Sequence, residues 1–401
     1  MGGQSLTHSG TSVSAFAERV FACLPGADQR RWAHAYVQGL LTTPGKKSVR
    51  RLAATVSDSP AASQSLHQFV NASPWDWHPV RDELSRWGEQ QGTPQAVVID
   101  QAILRKRGEH SCGVHRRFLS STGRSVTCQL GIGAFLTSCA SAVPVGWRLL
   151  LPGAWATAPR RRQRTRIPAG VGSRSVDQHI LDLVDSSAGS PRTAALPVVC
   201  HLGSAIRHSA GALVRGLAQR GRDFVVSVPE DLQITASRHL RSARPQSSTR
   251  NGQSMTARSL FESTSGTLPQ METVAPRGGV GRRLMTVMSS VVGLSEHGSA
   301  DAQIHRAYRL FATLPDGGGL ARTWLTSLTH TRMESVLALV QLLPRAGETV
   351  REMKEGFGLL DFEGRSYPGW RHHMTLVPAA YSYSRFGPHT AMTGERLIAA
   401  A

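Results

Sequence analysis

A chain of 401 residues is too long for one small domain, and an apolar share of 40% is enough to bury a sizeable core. The formal net charge of +19, from 46 basic against 27 acidic residues, turns the search away from cationic ligands and toward polyanions, with nucleic acid as the first candidate. Five scattered cysteines with no C-x-x-C pair exclude a disulfide framework and a structural zinc site, and suit a reducing compartment. No basic segment followed by an apolar one opens the chain, so no signal peptide is expected, and no apolar run reaches the ~18 residues of a membrane span.

Residues 1–13 are rich in Ser, Thr and Gly and read as a disordered tail. From Ser14 to about Gln90 the pattern is helical. Phe16, Val20, Phe21 and Leu24 share one face, and Asp28 can cap a helix in which Trp32, Tyr36 and Leu40 recur every four residues. GKKSVRRL then opens a basic helix. Its Lys46, Lys47, Arg50 and Arg51 can form a phosphate-contacting edge or an ordinary solvated face. HQFVNASPWDWHPVRDEL breaks at Ser73-Pro74 or Asp76 before a further helix. These helices are expected to form a separate domain over 14–92.

At Ala96 the character changes. Four apolar residues, Ala96 to Ile99, run into Asp100, as in a strand buried on both faces that delivers its last residue to a sheet edge. Asp100, with Arg105, Lys106 and Arg107 just after it, can be a metal ligand beside a phosphate-binding surface. Equally, it can cap a turn ahead of a solvated basic loop. Strands are expected at Val126–Phe135 and Pro144–Leu151, then a proline-bounded loop carrying Arg160, Arg161 and Arg162. A helix marked by Val176, Ile180, Leu183 and Val184 follows. After it come a strand at Leu196–Cys200, a helix at Ala210–Arg220 that Gly221 can terminate, and a strand at Phe224–Val228. The order is β-β-β-α-β-α-β, an α/β layout compatible with an RNase H-like sheet. Residues 232–300 are poorly periodic and read as part of an insertion, partly β and partly disordered. Strand patterns return between Tyr308 and Leu328, and helices are expected over Glu334–Gly356 and from Gly369 to Tyr383.

Several separated segments in this order (DQRRWAHAYVQGLL, HQFVNASPWDW, VVIDQAILRKRGEHSCGVHRRF, PVGWRLLLPGAW with RRRQRTRIP, RGRDFVVSVP and EMKEGFGLLDFEGRSYPGWRHHMTL) give a specific signal. The chain resembles a DDE-superfamily transposase of bacterial insertion sequences over nearly its full length. The resemblance implies a helical N-terminal domain at 14–92, an RNase H-like catalytic domain split into 93–231 and 334–390 by a β-rich insertion at 232–333, and a tail at 391–401. It implies metal-dependent cutting and joining of double-stranded DNA by three carboxylates. Two divalent ions about 3.5–4 Å apart must hold the attacking and leaving oxygens, and magnesium prefers hard oxygen ligands.

Asp100 matches the first carboxylate of that pattern. The second, in a segment like V-L-A-D-A-G-Y-G, falls on His201. The third, seven residues before a lysine that matches Lys354, falls on Gly347. Leu343 and Pro344 replace the Arg and Trp of the pattern, and a proline there is expected to disturb the helix. Glu348 is one residue from the third position, but a one-residue step on a helix rotates a side chain by about 100°. His201 has an imidazole better suited to zinc or copper than to magnesium. With Asp100 alone retained, metal binding is expected to be weak or absent and no cofactor to be tightly held. Mg²⁺ or Mn²⁺ is required if the protein is active. The expected protein is a transposase-derived, catalytically inactive DNA-binding protein, such as a domesticated transcriptional regulator. An active DDE transposase and a non-functional remnant are the alternatives. Its expected place is the bacterial cytoplasm, on the nucleoid and off the membrane, with a homodimer allowed. Lys46, Lys47, Arg50, Arg51, Arg105, Lys106, Arg107, Arg160, Arg161 and Arg162 are the candidate DNA contacts.

Overall fold

Five helices come first: α1 (Val13–Phe21), α2 (Ala27–Thr42), α3 (Val49–Val56), α4 (Ala62–Asn71) and α5 (Trp77–Gln91). Their ends follow from local chemistry. Ser12 caps α1 by accepting from the Ala15 N–H, and Asp76 caps α5 by accepting from the His78 N–H. The computed structural model describes residues 12–119, 122–236, 254–264, 270–276, 282–294, 306–314 and 322–387. The tails expected at 1–13 and 391–401, and the stretches of the insertion expected to be disordered, lie almost wholly outside these residues.

The sheet begins with β1 (Ala96–Arg105), β2 (His115–Leu119), β3 (Arg124–Thr137) and β4 (Ala142–Leu149). Short helices α6 (Ala154–Thr157) and α7 (Pro159–Arg164) follow, then α8 (Val176–Ser187), α9 (Pro191–Ala194), β5 (Val198–Cys200), α10 (Ala210–Gln219) and β6 (Phe224–Val228). Next come β7 (Gln233–Ala236), β8 (Ser254–Thr256), α11 (Ala257–Thr264), β9 (Gln270–Pro276), β10 (Arg282–Leu294), β11 (Tyr308–Leu314) and β12 (Arg322–Thr326). Three helices close the described chain: α12 (Met333–Val340), α13 (Leu343–Gly356) and α14 (Tyr367–Phe386).

These twelve strands form one mixed sheet in the order β2-β3-β1-β5-β6-β12-β11-β10-β7-β8, with β4 on β3 and β9 on β10. The parallel part is β1-β5-β6, and β1 joins β5 only over Val97–Ile99 against Val198–Cys200. Past Ile99, β1 is held by β3 alone, in register from Asp100↔Gly133 to Arg105↔Cys128. The sheet buries both faces. Ala96, Val98, Ala102 and Leu104 join the core under α1–α5, α13 and α14, whereas Val97 and Ile99 join the core under α8 and α10. This two-residue alternation places Asp100 on the α13–α14 side.

The structure departs from the sequence reading in several places. Asp100 lies mid-strand, because β3 extends β1 to Arg105, and β2 was not anticipated. The arginine run is helical, since Pro159 stands in the first turn of α7, where its missing N–H costs nothing. The helices at 14–92 do not have a core of their own. Phe16, Tyr36, Leu66 and Trp75 belong to the same buried cluster as Trp147, Trp370 and Met374. The described strands of the insertion extend the main sheet from the β6 edge through β12. Pro344 sits in the first turn of α13, so it separates α12 from α13 and leaves the helix around Gly347 intact.

Candidate active site

Asp100 is one step beyond the last pair of the parallel ladder, at the crevice where open α/β sheets place their ligands. Its Oδ1 accepts from the Gln101 N–H at 2.7 Å. On the neighbouring strand, Gly133 pairs with Asp100, and the Trp147 ring packs so close that a β-carbon on Gly133 would come within 2.9 Å of it. Burial pushes the Asp100 carboxyl up to about 6, although the Gln101 N–H and Lys354 both pull it down.

Across from it runs α13. A β-carbon built on Gly347 would sit 3.6 Å from Asp100 Oδ2. Any side chain at 347 would therefore start out against that carboxylate. Glu348 turns away, with its Oε2 3.0 Å from Arg345 Nη1. Lys354, two turns after Gly347, is depressed by burial, with Asp100 opposing and Arg105 reinforcing the shift. His201 follows β5 directly, in line with Val199 on the Asp100 side of the sheet. Its ring centroid is 5.9 Å from that of Trp324, and burial, aided by Arg322, lowers its pKa to about 4, so the ring is neutral at pH 7. The structure thus brings Asp100, Gly347 and Lys354 together, while His201 directly follows the adjacent strand β5.

A family model described as DDE superfamily endonuclease matches residues 19–284, about two thirds of the chain. The chain belongs to the DDE superfamily endonucleases. No curated protein matches it. The matched residues include Asp100 and His201 and stop within β10, so the placement of Gly347 rests on geometry alone.

DDE endonucleases typically use divalent metal ions, and their substrate is DNA. The residues around Asp100 do not fit a pair of such ions. One carboxylate, one neutral imidazole and a glycine offer too few hard oxygens. Among the described residues no cluster of three His, Cys, Asp or Glu side chains can hold a metal. No helix among them is long and apolar enough to cross a membrane.

The basic candidates divide by burial. Lys47 is 6% exposed; its ammonium donates to the Thr43 carbonyl and its backbone N–H to Asp361 Oδ2. Lys106 is half-buried and donates to the Phe362 carbonyl at 2.6 Å. Arg162 is bound to the carbonyls of Ala156 and Pro168. These three brace the fold, and a phosphate would have to displace their internal bonds. Lys46 pairs with Glu363 at the surface, and Arg161 lies over the Trp155 ring. Arg50, Arg51, Arg105, Arg107 and Arg160 are exposed.

A stability measurement checks the Asp100 environment. Its carboxyl titrates near 3.8 when unfolded and near 6 when folded, so the folded state holds the extra proton and stability falls as pH rises through that window. Asp100→Asn keeps the acceptor for Gln101 and removes the buried charge. The shift is worth about 1.4 kcal/mol per unit, reduced because Asp100 is partly exposed and Lys354 loses its counter-charge. The variant should gain about 1–2 kcal/mol at pH 8 and nothing at pH 4, read from urea midpoints. A loss at pH 8 would contradict this.

Proposed function

We propose that this protein is a DNA-binding member of the DDE endonucleases, built on an RNase H-like core, in which the metal-dependent cutting machinery has been dismantled. The observation that carries the reading is Gly347, which presents no side chain at a position 3.6 Å from Asp100 Oδ2. The strand order β4-β3-β1-β5-β6, with β3 antiparallel and β5 and β6 parallel to β1, supports the RNase H-like core. The net charge of +19 supports DNA as the partner. A binding protein without cleavage acts by occupying DNA, as a domesticated regulator does.

Two results are expected. Labelled duplex should not be nicked or joined in Mg²⁺ or Mn²⁺, with no difference between the wild type and Asp100→Ala. Cleavage that Asp100→Ala abolishes would overturn the reading. Duplex affinity should fall linearly on a log–log plot against salt, with a slope of about 0.9 per phosphate contact. Replacing Arg50 with Arg51, or Arg160 with Arg161, by alanine should reduce that slope by about one to two units and weaken all duplexes alike, because phosphate contacts carry no sequence information. Mapping bound DNA across the genome separates a regulator, which occupies discrete sites, from a remnant, which does not.

A further inference from the structure

On the side of the sheet away from β1, β4 pairs with β3 alone, and α5, α8 and α14 pack against it. There the Trp147 carbonyl of β4 accepts from two guanidiniums. Arg148 Nη1 donates to it at 3.2 Å, and Arg371 Nη1 reaches it from α14. Two like charges therefore sit side by side on one oxygen. Arg371 is only 5% exposed, and Arg148 is half-buried. Among the described residues neither has an ion pair, because the nearby carboxylates are taken: Asp82 by Arg81, Asp182 by Arg174 and Asp76 by His78. Burial lowers the pKa of both, and the Arg371 and Arg81 charges help to bring Arg148 down to about 10. Both arginines still carry their charge at neutral pH. Proteins rarely bury a charge without a partner, because it gives up its hydration and gains nothing in return.

Beside Arg371 opens a narrow cavity of about 20 Å³, walled by Trp77 and Arg81 of α5, Gly146 and Trp147 of β4, and Arg371 and Thr375 of α14. Arg371 Nε and Trp77 Nε1 are buried with no hydrogen-bond partner. The two side chains are neighbours, since Arg371 Cζ lies 4.9 Å from the centre of the Trp77 ring. A cavity needs about 10–15 Å³ of such space to admit one water, so this one has room for a single small ion and none for a phosphate ester. A water would satisfy the N–H groups and leave the positive charge standing. We propose that this cavity binds a small monovalent anion of the size of chloride, held by Arg371 and the Trp77 N–H with Arg81 and Arg148 adding positive charge, and that the ion fastens α5 and α14 to β4. The site lies apart from Asp100 and does not depend on DNA binding.

The test follows the melting temperature of the full chain in sodium chloride and in sodium gluconate at equal ionic strength. Both salts screen the net charge of +19 alike, and gluconate is too bulky for the cavity, so only their difference counts. Raising chloride from about 1 to about 100 mM should raise the melting temperature by about 2 °C more than gluconate does, and bromide should replace chloride. The difference should vanish in Arg371→Gln, which keeps a donor and removes the charge, and should shrink in Arg148→Gln. A direct measurement needs no variant: wild-type protein should broaden the chloride NMR signal, and added bromide should reverse the excess broadening. Equal melting in the two salts, or no excess broadening, would overturn the site. A chloride gain that survives unchanged in folded Arg371→Gln would overturn it as well, because the ion would then sit elsewhere on the protein.

Discussion

The double variant His201→Asp with Gly347→Glu is expected to gain Mn²⁺ binding that the wild type lacks. A side chain at 347 begins 3.6 Å from Asp100 Oδ2, and one at 201 follows directly from the strand beside β1, so both new carboxylates would meet the existing one. Three carboxylates supply the hard oxygen ligands that one cannot. A ligand at about a hundred times its dissociation constant stabilises the folded state by about 2.7 kcal/mol, or roughly 3 °C in melting temperature for a chain of this size. Without metal the variant should melt lower than the wild type through carboxylate repulsion, although replacing a helical glycine recovers up to about 1 kcal/mol. Each single change should give much less than the pair, because ligands of one ion act together. A folded double variant whose melting ignores Mn²⁺ would mean that 201 and 347 do not converge on Asp100.

Acid should loosen the attachment of the N-terminal helices to the sheet. The link is His373 on α14, which is fully buried. Its Nδ1 faces the Tyr36 hydroxyl of α2 and its Nε2 faces the Gly358 carbonyl, each at 3.1 Å. A neutral ring satisfies both contacts, with Nε2–H donating and Nδ1 accepting from tyrosine. Burial, aided by Lys106, pushes its pKa down to about 3 from the usual 6.5. The unfolded chain therefore takes up a proton that the folded one refuses. This stability is fully present above about pH 6.5 and is lost as pH falls toward 3, amounting to about 3–5 kcal/mol at about 1.4 kcal/mol per unit. His179, buried with both ring nitrogens unpaired and lowered to about 4, adds in the same direction. Asp100, whose carboxyl is raised by burial, opposes them more weakly. Urea midpoints should drop steadily from pH 7 to 4.5, and the drop should shrink in His373→Gln. A flat profile, or a His373 resonance titrating near 6.5, would contradict this.

Much of this was legible in the residues. The run AVVI announced β1 because a strand covered on both faces needs no polar alternation. The continuation to Arg105 was hidden because Asp100 and Gln101 interrupt the apolar pattern, and only the tertiary pairing with β3 restores it. Charge misled at Lys47, where a side chain read as solvated lies inside the fold, because sequence carries no information on which carbonyl a lysine will reach. The spacing between Gly347 and Lys354 is local, and both fall on α13. The pairing of β12 beside β6, about a hundred residues away in sequence, left no signal in either segment. The roles of His372 and His373 were equally silent. His372 stacks on Trp75 with ring centroids 3.9 Å apart, a contact across almost 300 residues.

The central claim is that one carboxylate, a neutral imidazole and a glycine have replaced a two-metal centre. Its most direct test is a titration of the wild-type protein with Mn²⁺, following the free ion by electron paramagnetic resonance. The signal should equal that of buffer at every protein concentration up to a few hundred micromolar. A stoichiometric loss of free Mn²⁺ that returns in Asp100→Ala would contradict the account, because it would place a metal ion where these residues leave too few ligands to hold one.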